Sequence, residues 1–269
     1  MKKVYFLPIV MVMLLTFNAF GMDMDKMKMV LEKTRQDIDS TFFAIDNDLS
    51  AAAKELSTVD LKGEEARKIV RKLIENKSYV IDGVIVDTAG KMIVIEPQKY
   101  RKAEGTDISA QAHTIALMKD KLPVLSGLLL SNEGIVSIVF AYPIFSANGD
   151  LLGSVNMLVK QDALTKDIIV GLLEGMPCKV WIMQKDGWII YDEDPNQIAL
   201  NILSDESYLP FKQLIEFSRT VSQAKDGGGS YDFYAAGLGG SSIVKKYAVW
   251  DTVSLYGTEW RIIVMEAGL

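Results

Sequence analysis

Residues 142–159 read Tyr-Pro-Ile-Phe-Ser-Ala-Asn-Gly-Asp-Leu-Leu-Gly-Ser-Val-Asn-Met-Leu-Val. Two apolar runs flank Asn148-Gly149, a pair that tolerates positive φ at both centres of a tight turn, so the stretch predicts an antiparallel hairpin. A shorter copy follows at residues 180–191, Val-Trp-Ile-Met-Gln-Lys-Asp-Gly-Trp-Ile-Ile-Tyr. A third x-Gly turn, Ala89-Gly90, joins apolar runs at 81–87 and 92–95. The hairpins fall in two successive blocks, which predicts an α+β chain with two tandem antiparallel-sheet domains.

Before the first hairpin, Met27, Leu31, Thr34, Ile38, Phe42, Ile45, Leu49, Ala52 and Leu56 recur every three or four positions without an intervening Pro or Gly. That stripe predicts a helix of ~30 residues, ~45 Å long at 1.5 Å per residue. Such a helix outreaches one small domain and is expected to run along two. Gly63 ends the pattern, and 64–76 reads as a second helix. The first block then holds strands at 81–87, 92–95, 135–142 and 151–159. Between them lie a polar loop through Tyr100, Arg101, Gly105 and Asp107, a short helix over 109–119, and Pro123-Val124-Leu125-Ser126. A connecting helix over 163–174 stops at Gly175 and Pro177. In the second block a helix over 208–224 precedes Gly227-Gly228-Gly229, read as a turn, and strands at 246–253 and 260–265 meet at Tyr256-Gly257. The expected organisation is a signal peptide over 1–21, two helices over 22–77, a first sheet domain over 78–162, a connecting helix over 163–177 and a second sheet domain over 178–269.

The signal peptide rests on Lys2 and Lys3, an apolar run over 4–15, and small residues at Ala19 and Gly21. The expectation is an exported, periplasmic or extracytoplasmic protein; an uncleaved N-terminal anchor is the alternative. Loss of that segment, with its two lysines and no acid, takes the formal net charge from −6 to −8. An acidic chain without a basic run excludes nucleic acid as a partner.

Little in the chain points to catalysis. One histidine (His113) and one cysteine (Cys178) leave no Ser-His-acid triad, no two-histidine metal site and no internal disulfide. Asp192-Glu193-Asp194-Pro195-Asn196 begins like a calcium loop, but Gln197 and Leu203 occupy the positions that need Gly and Glu, so it reads as a solvated acidic turn. The Gly-rich segments at 227–230 and 237–240 lack the Lys and the strand-to-helix setting of a phosphate loop. The aromatic set Tyr231, Phe233, Tyr234, Tyr247, Trp250 and Trp260 reads as core. No enzyme activity, cofactor or metal is expected.

Taken together, Pro123-Val124-Leu125-Ser126, the 142–159 hairpin, Lys185-Asp186-Gly187-Trp188-Ile189-Ile190-Tyr191-Asp192, and Ala248-Val249-Trp250 with Tyr256-Gly257-Thr258-Glu259-Trp260-Arg261 resemble the double-Cache sensors, extracytoplasmic domains related to the PAS fold. The resemblance spans nearly all of the chain after the signal. It implies two tandem PAS-like domains behind a long N-terminal helix, a small solute bound in the first (membrane-distal-type) domain, and a role in signal transduction. Relatives commonly continue into a transmembrane helix and an output domain. This sequence stops at Leu269 just past its last strand, so a separate membrane-bound signalling partner is expected. The Arg-x-Trp-Tyr motif of the amino-acid-binding members is missing.

Strand parity locates the site. Ser154, Asn156 and Leu158 face one way, and Val155, Met157 and Val159 the other; Ser137, Val139 and Ala141 oppose Ile138, Phe140 and Tyr142 in the same manner. The bulky sets read as core, and the small polar sets as the floor of a pocket. Tyr100, Arg101, His113, Ser137 and Asn156 are therefore the expected ligand-binding residues, with Arg101 drawing a small organic anion. The second domain is expected to lack a comparable cleft. The function predicted is an exported, non-enzymatic small-molecule sensor. Its alternatives are a scaffold that homodimerises through the long-helix stripe and, behind that, a secreted hydrolase.

Overall fold

A computed structural model describes residues 24–268, so the expected signal peptide lies outside the described residues. The periodic stripe becomes α1, Met24–Leu56, with Met27, Val30, Leu31, Ile38, Phe42, Ile45, Leu49 and Leu56 buried. After a short break, α2 (Glu64–Ile74) packs beside it. Strands β1 (Val80–Asp87), β2 (Met92–Glu96), β3 (Val124–Leu125), β4 (Leu129–Leu130), β5 (Val136–Phe145) and β6 (Leu151–Val159) form the first sheet in the order β2-β1-β6-β5-β3, with β4 also on β5. A 3-10 helix (Gln98–Ala103) and α3 (Ala112–Asp120) are inserted between β2 and β3. The connecting helix α4 (Gln161–Leu172) leads to β7 (Lys179–Gln184) and β8 (Ile189–Tyr191). A 3-10 turn (Glu206–Tyr208), α5 (Lys212–Gln223), β9 (Gly227–Tyr234), β10 (Ile243–Leu255) and β11 (Thr258–Ala267) complete the second sheet, ordered β8-β7-β11-β10-β9. The α+β architecture of a long helix and two antiparallel sheets is as expected. Among the described residues no helix is long and apolar enough to cross a membrane.

One apolar core serves both sheets. It joins the stripe of α1 to Ile138, Phe140, Val155 and Met157 of the first sheet and to Val180, Ile182, Trp260 and Ile262 of the second. Phe42 stands at the junction, edge-on to Phe140 (centroids 5.7 Å) and to Trp260 (5.0 Å). The stripe is thereby covered within the chain, while Met29 and Phe43 on the other side of α1 stay exposed.

Three local expectations are corrected. In the turn of the β5–β6 hairpin Gly149 takes a positive φ (85°) and Asn148 does not, because the connection is longer than two residues: Gly149 N–H bonds the Ser146 carbonyl, and the Ser146 hydroxyl accepts from Asn148 and Asp150 N–H. Gly227-Gly228-Gly229 opens β9 instead of forming a turn. A Cβ on Gly227 would lie 2.4 Å from the Trp250 ring, so glycine is what lets β9 pass that indole. The helix expected over 208–224 begins only at Lys212, since Pro210 interrupts it after the 3-10 turn.

Phe42→Ala removes the ring that both sheets pack against. A loss of about 3–5 kcal/mol of unfolding free energy is expected in urea titrations. A loss under about 1 kcal/mol would show that the two sheets do not depend on this contact.

Candidate functional site

The face of the first sheet turned away from α1 carries two small apolar clusters instead of one. Val84, Val86, Met92, Ile95 and Ile108 form the first; Leu117, Val139, Ala141 and Leu158 form the second. Between them the strands place polar groups. Asp82 pairs with Leu158 and Val84 with Asn156 across β1–β6, and Asn156 pairs with Ala141 across β6–β5. The parity reading of both strands therefore holds, with Ile138, Phe140, Val155 and Met157 all in the core beneath α1.

A narrow slot opens over this polar seam, lined by Asp82, Val84, Gln111, His113, Ser131, Glu133, Asn156 and neighbours. His113, at the first turn of α3, also borders an apolar groove of about 440 Å³ that runs along residues 124–130. The Asp82 Oδ1 and Asn156 Oδ1 atoms are buried without a hydrogen-bond partner. Burial, and secondly the Glu133 carboxylate, push the Asp82 carboxyl up to about 8. Burial alone lowers His113 to about 4, so its imidazole is neutral at ordinary pH. Among the described residues no Lys or Arg lines slot or groove.

Of the five residues expected to bind ligand, His113 and Asn156 meet here. The other three lie elsewhere. Ser137 shares the face but is fully buried where β4 pairs with β5, its hydroxyl donating to the Ile135 carbonyl. Tyr100 packs on the Val84–Ile108 cluster with the Lys99 ammonium 4.6 Å above its ring. Arg101 is the main correction. Its guanidinium donates to Glu96, a buried carboxylate that also accepts from Arg71 (3.3 Å) and Arg67 (3.4 Å). Burial acts to raise Glu96, and hydrogen bonds from Arg101, Arg71 and Arg67 outweigh it and hold the carboxyl below its usual range. Glu104 joins this knot by accepting from Arg67 and from Ile95 N–H. The knot ties α2 to β2 and the 3-10 helix; the cation expected to bind an anion is engaged in holding the fold.

Asp82, Glu133 and Gln111 escaped the sequence reading. The available signal was Asp82 itself, an acid in the middle of the apolar run Val-Ile-Asp-Gly-Val-Ile-Val at residues 80–86.

The second domain corrects another expectation, because it holds a cavity of about 320 Å³ over the outer face of its sheet. Of the expected aromatic core, Tyr231, Phe233 and Trp250 are buried with α5, Trp260 lies in the core beneath α1, and Tyr234 and Tyr247 are half-buried; a gap remains beside Asp192 and Lys246. The Asp-Glu-Asp turn is only in part the solvated feature expected: Asp192 lines the cavity, and burial pushes its carboxyl up to about 7. Among the described residues no group of three or more His, Cys, Asp and Glu is placed to hold a metal.

Residues 40–161 match the family described as HK/GC/Chemotaxis protein-like, sensor domain. The chain has the double-Cache sensor fold. It is 28% identical to an extracellular ligand binding receptor from Desulfohalobium retbaense over 91% of its length, with a TM-score of 0.76, and spans 41% of that protein. The periplasmic sensory domain of the Campylobacter jejuni chemoreceptor Tlp1 shares the fold at 14% identity and a TM-score of 0.63, covering 90% of this chain and 94% of that one. The same holds for the ligand binding domain of the Pseudomonas aeruginosa amino acid chemoreceptor PctC, solved with GABA (14%, 0.63, 90% and 98%). No curated protein matches the chain.

Two outcomes follow from the charges. Arg101→Ala is expected to lower stability by about 1–3 kcal/mol in urea melts, because it leaves buried Glu96 short of a donor; an unchanged midpoint would refute the knot. Asp82 keeps its proton in the folded chain up to about 8 but ionises near 3.8 when unfolded, so its presence costs stability as pH rises between those values. Asp82→Asn should therefore stabilise the protein more at about pH 8 than at about pH 5. An equal effect at both would remove the assignment of a buried, raised carboxyl.

Proposed function

We propose that this chain is an exported, non-enzymatic sensor that binds a small amine with an apolar tail on its first domain and passes the bound state to a membrane-bound signalling partner. The observation that supports it is the pair of buried, unpartnered oxygens, Asp82 Oδ1 and Asn156 Oδ1, in a slot with Glu133 nearby and no lining cation. An unsatisfied buried acceptor is costly, and a ligand ammonium supplies the missing donors. The apolar groove along 124–130 receives the tail. Among the solved structures sharing this fold are an amino acid chemoreceptor domain bound to GABA and a chemoreceptor domain bound to L-isoleucine or L-alanine. The amino group common to those ligands fits this slot; their carboxylate meets no cation in it, which favours amines over amino acids. An anionic ligand, the expectation built on Arg101, loses its basis with that residue engaged by Glu96.

Isothermal titration of the full chain with isoamylamine, phenethylamine and their carboxylate counterparts tests this reading. Amine binding is expected, weakened about tenfold or more by Asp82→Asn. Because Asp82 must lose its proton to pair with an ammonium, affinity should rise with pH up to about 8. Amine binding that ignores both pH and Asp82→Asn, or no amine binding at all, sinks the proposal.

A further inference from the structure

The cavity of the second domain has an unusual floor. Trp181, Tyr231, Phe233 and Met265 pave the sheet face beneath α5, and Ile189, Ile202 and Leu214 close the sides. Register places one charged side chain in that paving. Lys246 pairs with Tyr231 across β10–β9 and alternates with Ala248 and Trp250 on the same face, while its neighbour Lys245 points away. Lys246 is 4% exposed. A lysine buried to that degree is ordinarily paired.

The charged groups around the cavity mostly have partners. Lys179 bonds Glu193 at 2.9 Å on the rim. Asp194 is fully engaged: its Oδ1 accepts from the Asn196 backbone and side chain, and its Oδ2 accepts from Leu238 N–H at 2.7 Å. Asp192 Oδ1 accepts from Asp194 N–H at 2.8 Å. Lys246 is the exception. Among the described residues no carboxylate pairs with its ammonium, and the Phe233 ring lies 5.2 Å from Nζ to centroid. Asp192 attracts it from across the cavity without reaching it, and burial, opposed by that attraction, lowers the Lys246 pKa.

We propose that this cavity is a second ligand site, specific for small carboxylic acids with an apolar body. The carboxylate meets the Lys246 ammonium, giving a buried cation the charge-assisted partner it lacks. The body lies among Trp181, Phe233 and Leu214. Asp192 lines the same space, and its second oxygen, without a hydrogen-bond partner among the described residues, is free to accept from a hydroxyl or ammonium on the carbon next to the carboxylate. A 2-hydroxy or 2-amino acid thus fits better than the plain acid. The two sites read opposite charge: an acid-lined slot on the first sheet, a lysine-floored cavity on the second. The inference stands whether or not the first slot binds amines.

Titration calorimetry of the full chain with isocaproate, (S)-2-hydroxyisocaproate and L-leucine tests the assignment. All three should bind, the latter two more tightly. Lys246→Met, which keeps the stem and removes the charge, should weaken each by about tenfold or more. Should Lys246→Met fail to fold, Ala236→Trp decides instead, since Ala236 is an exposed residue at the mouth and an indole there closes the cavity from outside. Absence of binding up to about 10 mM acid, or affinities left unchanged by the variant that folds, overturns the proposal. Failure of the amine reading would show separately, in isoamylamine titrations and Asp82→Asn.

Discussion

Everything in this molecule depends on the apolar stripe of α1 being covered from two directions at once. A helix of 33 residues is too long for one sheet of this size to bury, and a sheet domain of about 80–90 residues is small for an independent core. Sharing solves both problems. Phe42, between Phe140 of the first sheet and Trp260 of the second, is where the two halves of that core touch. Tyr256, whose hydroxyl bonds Asp46 of α1, adds a polar tie from the last hairpin. Neither sheet keeps its inner face dry without the helix.

Because α1 closes the inner faces, the outer faces are where the two domains are free to differ. Each outer face is mostly apolar, and each carries a buried ionisable residue without an ion-pair partner among the described residues, planted in an alternating strand: Asp82 in β1 and Lys246 in β10. Arg261 of β11 lies on the second outer face as well, but the Val221 and Ala224 carbonyls and Glu259 hold it. A charge in such a position prevents neighbouring side chains from closing over it, since sealing it without a partner costs several kcal/mol. The first sheet's outer cluster is split in two around Asp82 and Asn156. The second keeps one cluster under α5, with a gap at Lys246. The openings arise where packing is interrupted by groups that need partners.

This also explains what the sequence could and could not disclose. Periodicity of 3.6 and of 2, together with x-Gly turns, are local signals, and they yielded α1, the hairpins and the parity of β5 and β6. Asn156 followed from parity because a strand's facing is a local property, whereas His113 was picked out by its place on the short helix after the polar loop. Arg101 misled because a guanidinium beside a polar loop looks available in one dimension. Its partner Glu96 is five residues away, but Arg67 and Arg71, which complete the knot, come from α2, and only the packed fold brings them to the same carboxylate. Lys246 was passed over for the matching reason. Beside Lys245 it reads as a solvated pair at a strand start, and only the pairing of β10 with β9 and β11 shows it facing inward.

The segment between β3 and β4 connects the first site to the rest of the chain. Leu125, Ser126, Gly127 and Leu128 form a wall of the apolar groove. The same residues touch the second sheet: the Leu125 carbonyl accepts from the Thr258 hydroxyl at 2.6 Å, and Leu128 N–H donates to Gln184 Oε1 at 2.9 Å. Gly127 passes so near Gln184 that a Cβ there would sit 3.1 Å from its amide nitrogen. Ser126 is held from the other side, its hydroxyl accepting from Val139 N–H on the floor strand. A molecule seated in the groove therefore leans on a strip whose opposite side is hydrogen-bonded to β7 and β11. Those strands pack on α1 through Ile182, Trp260 and Ile262. A displacement of the strip must either stretch those bonds or carry the second sheet with it against the long helix. A ligand has that effect only to the extent that it binds the displaced strip more tightly than the resting one.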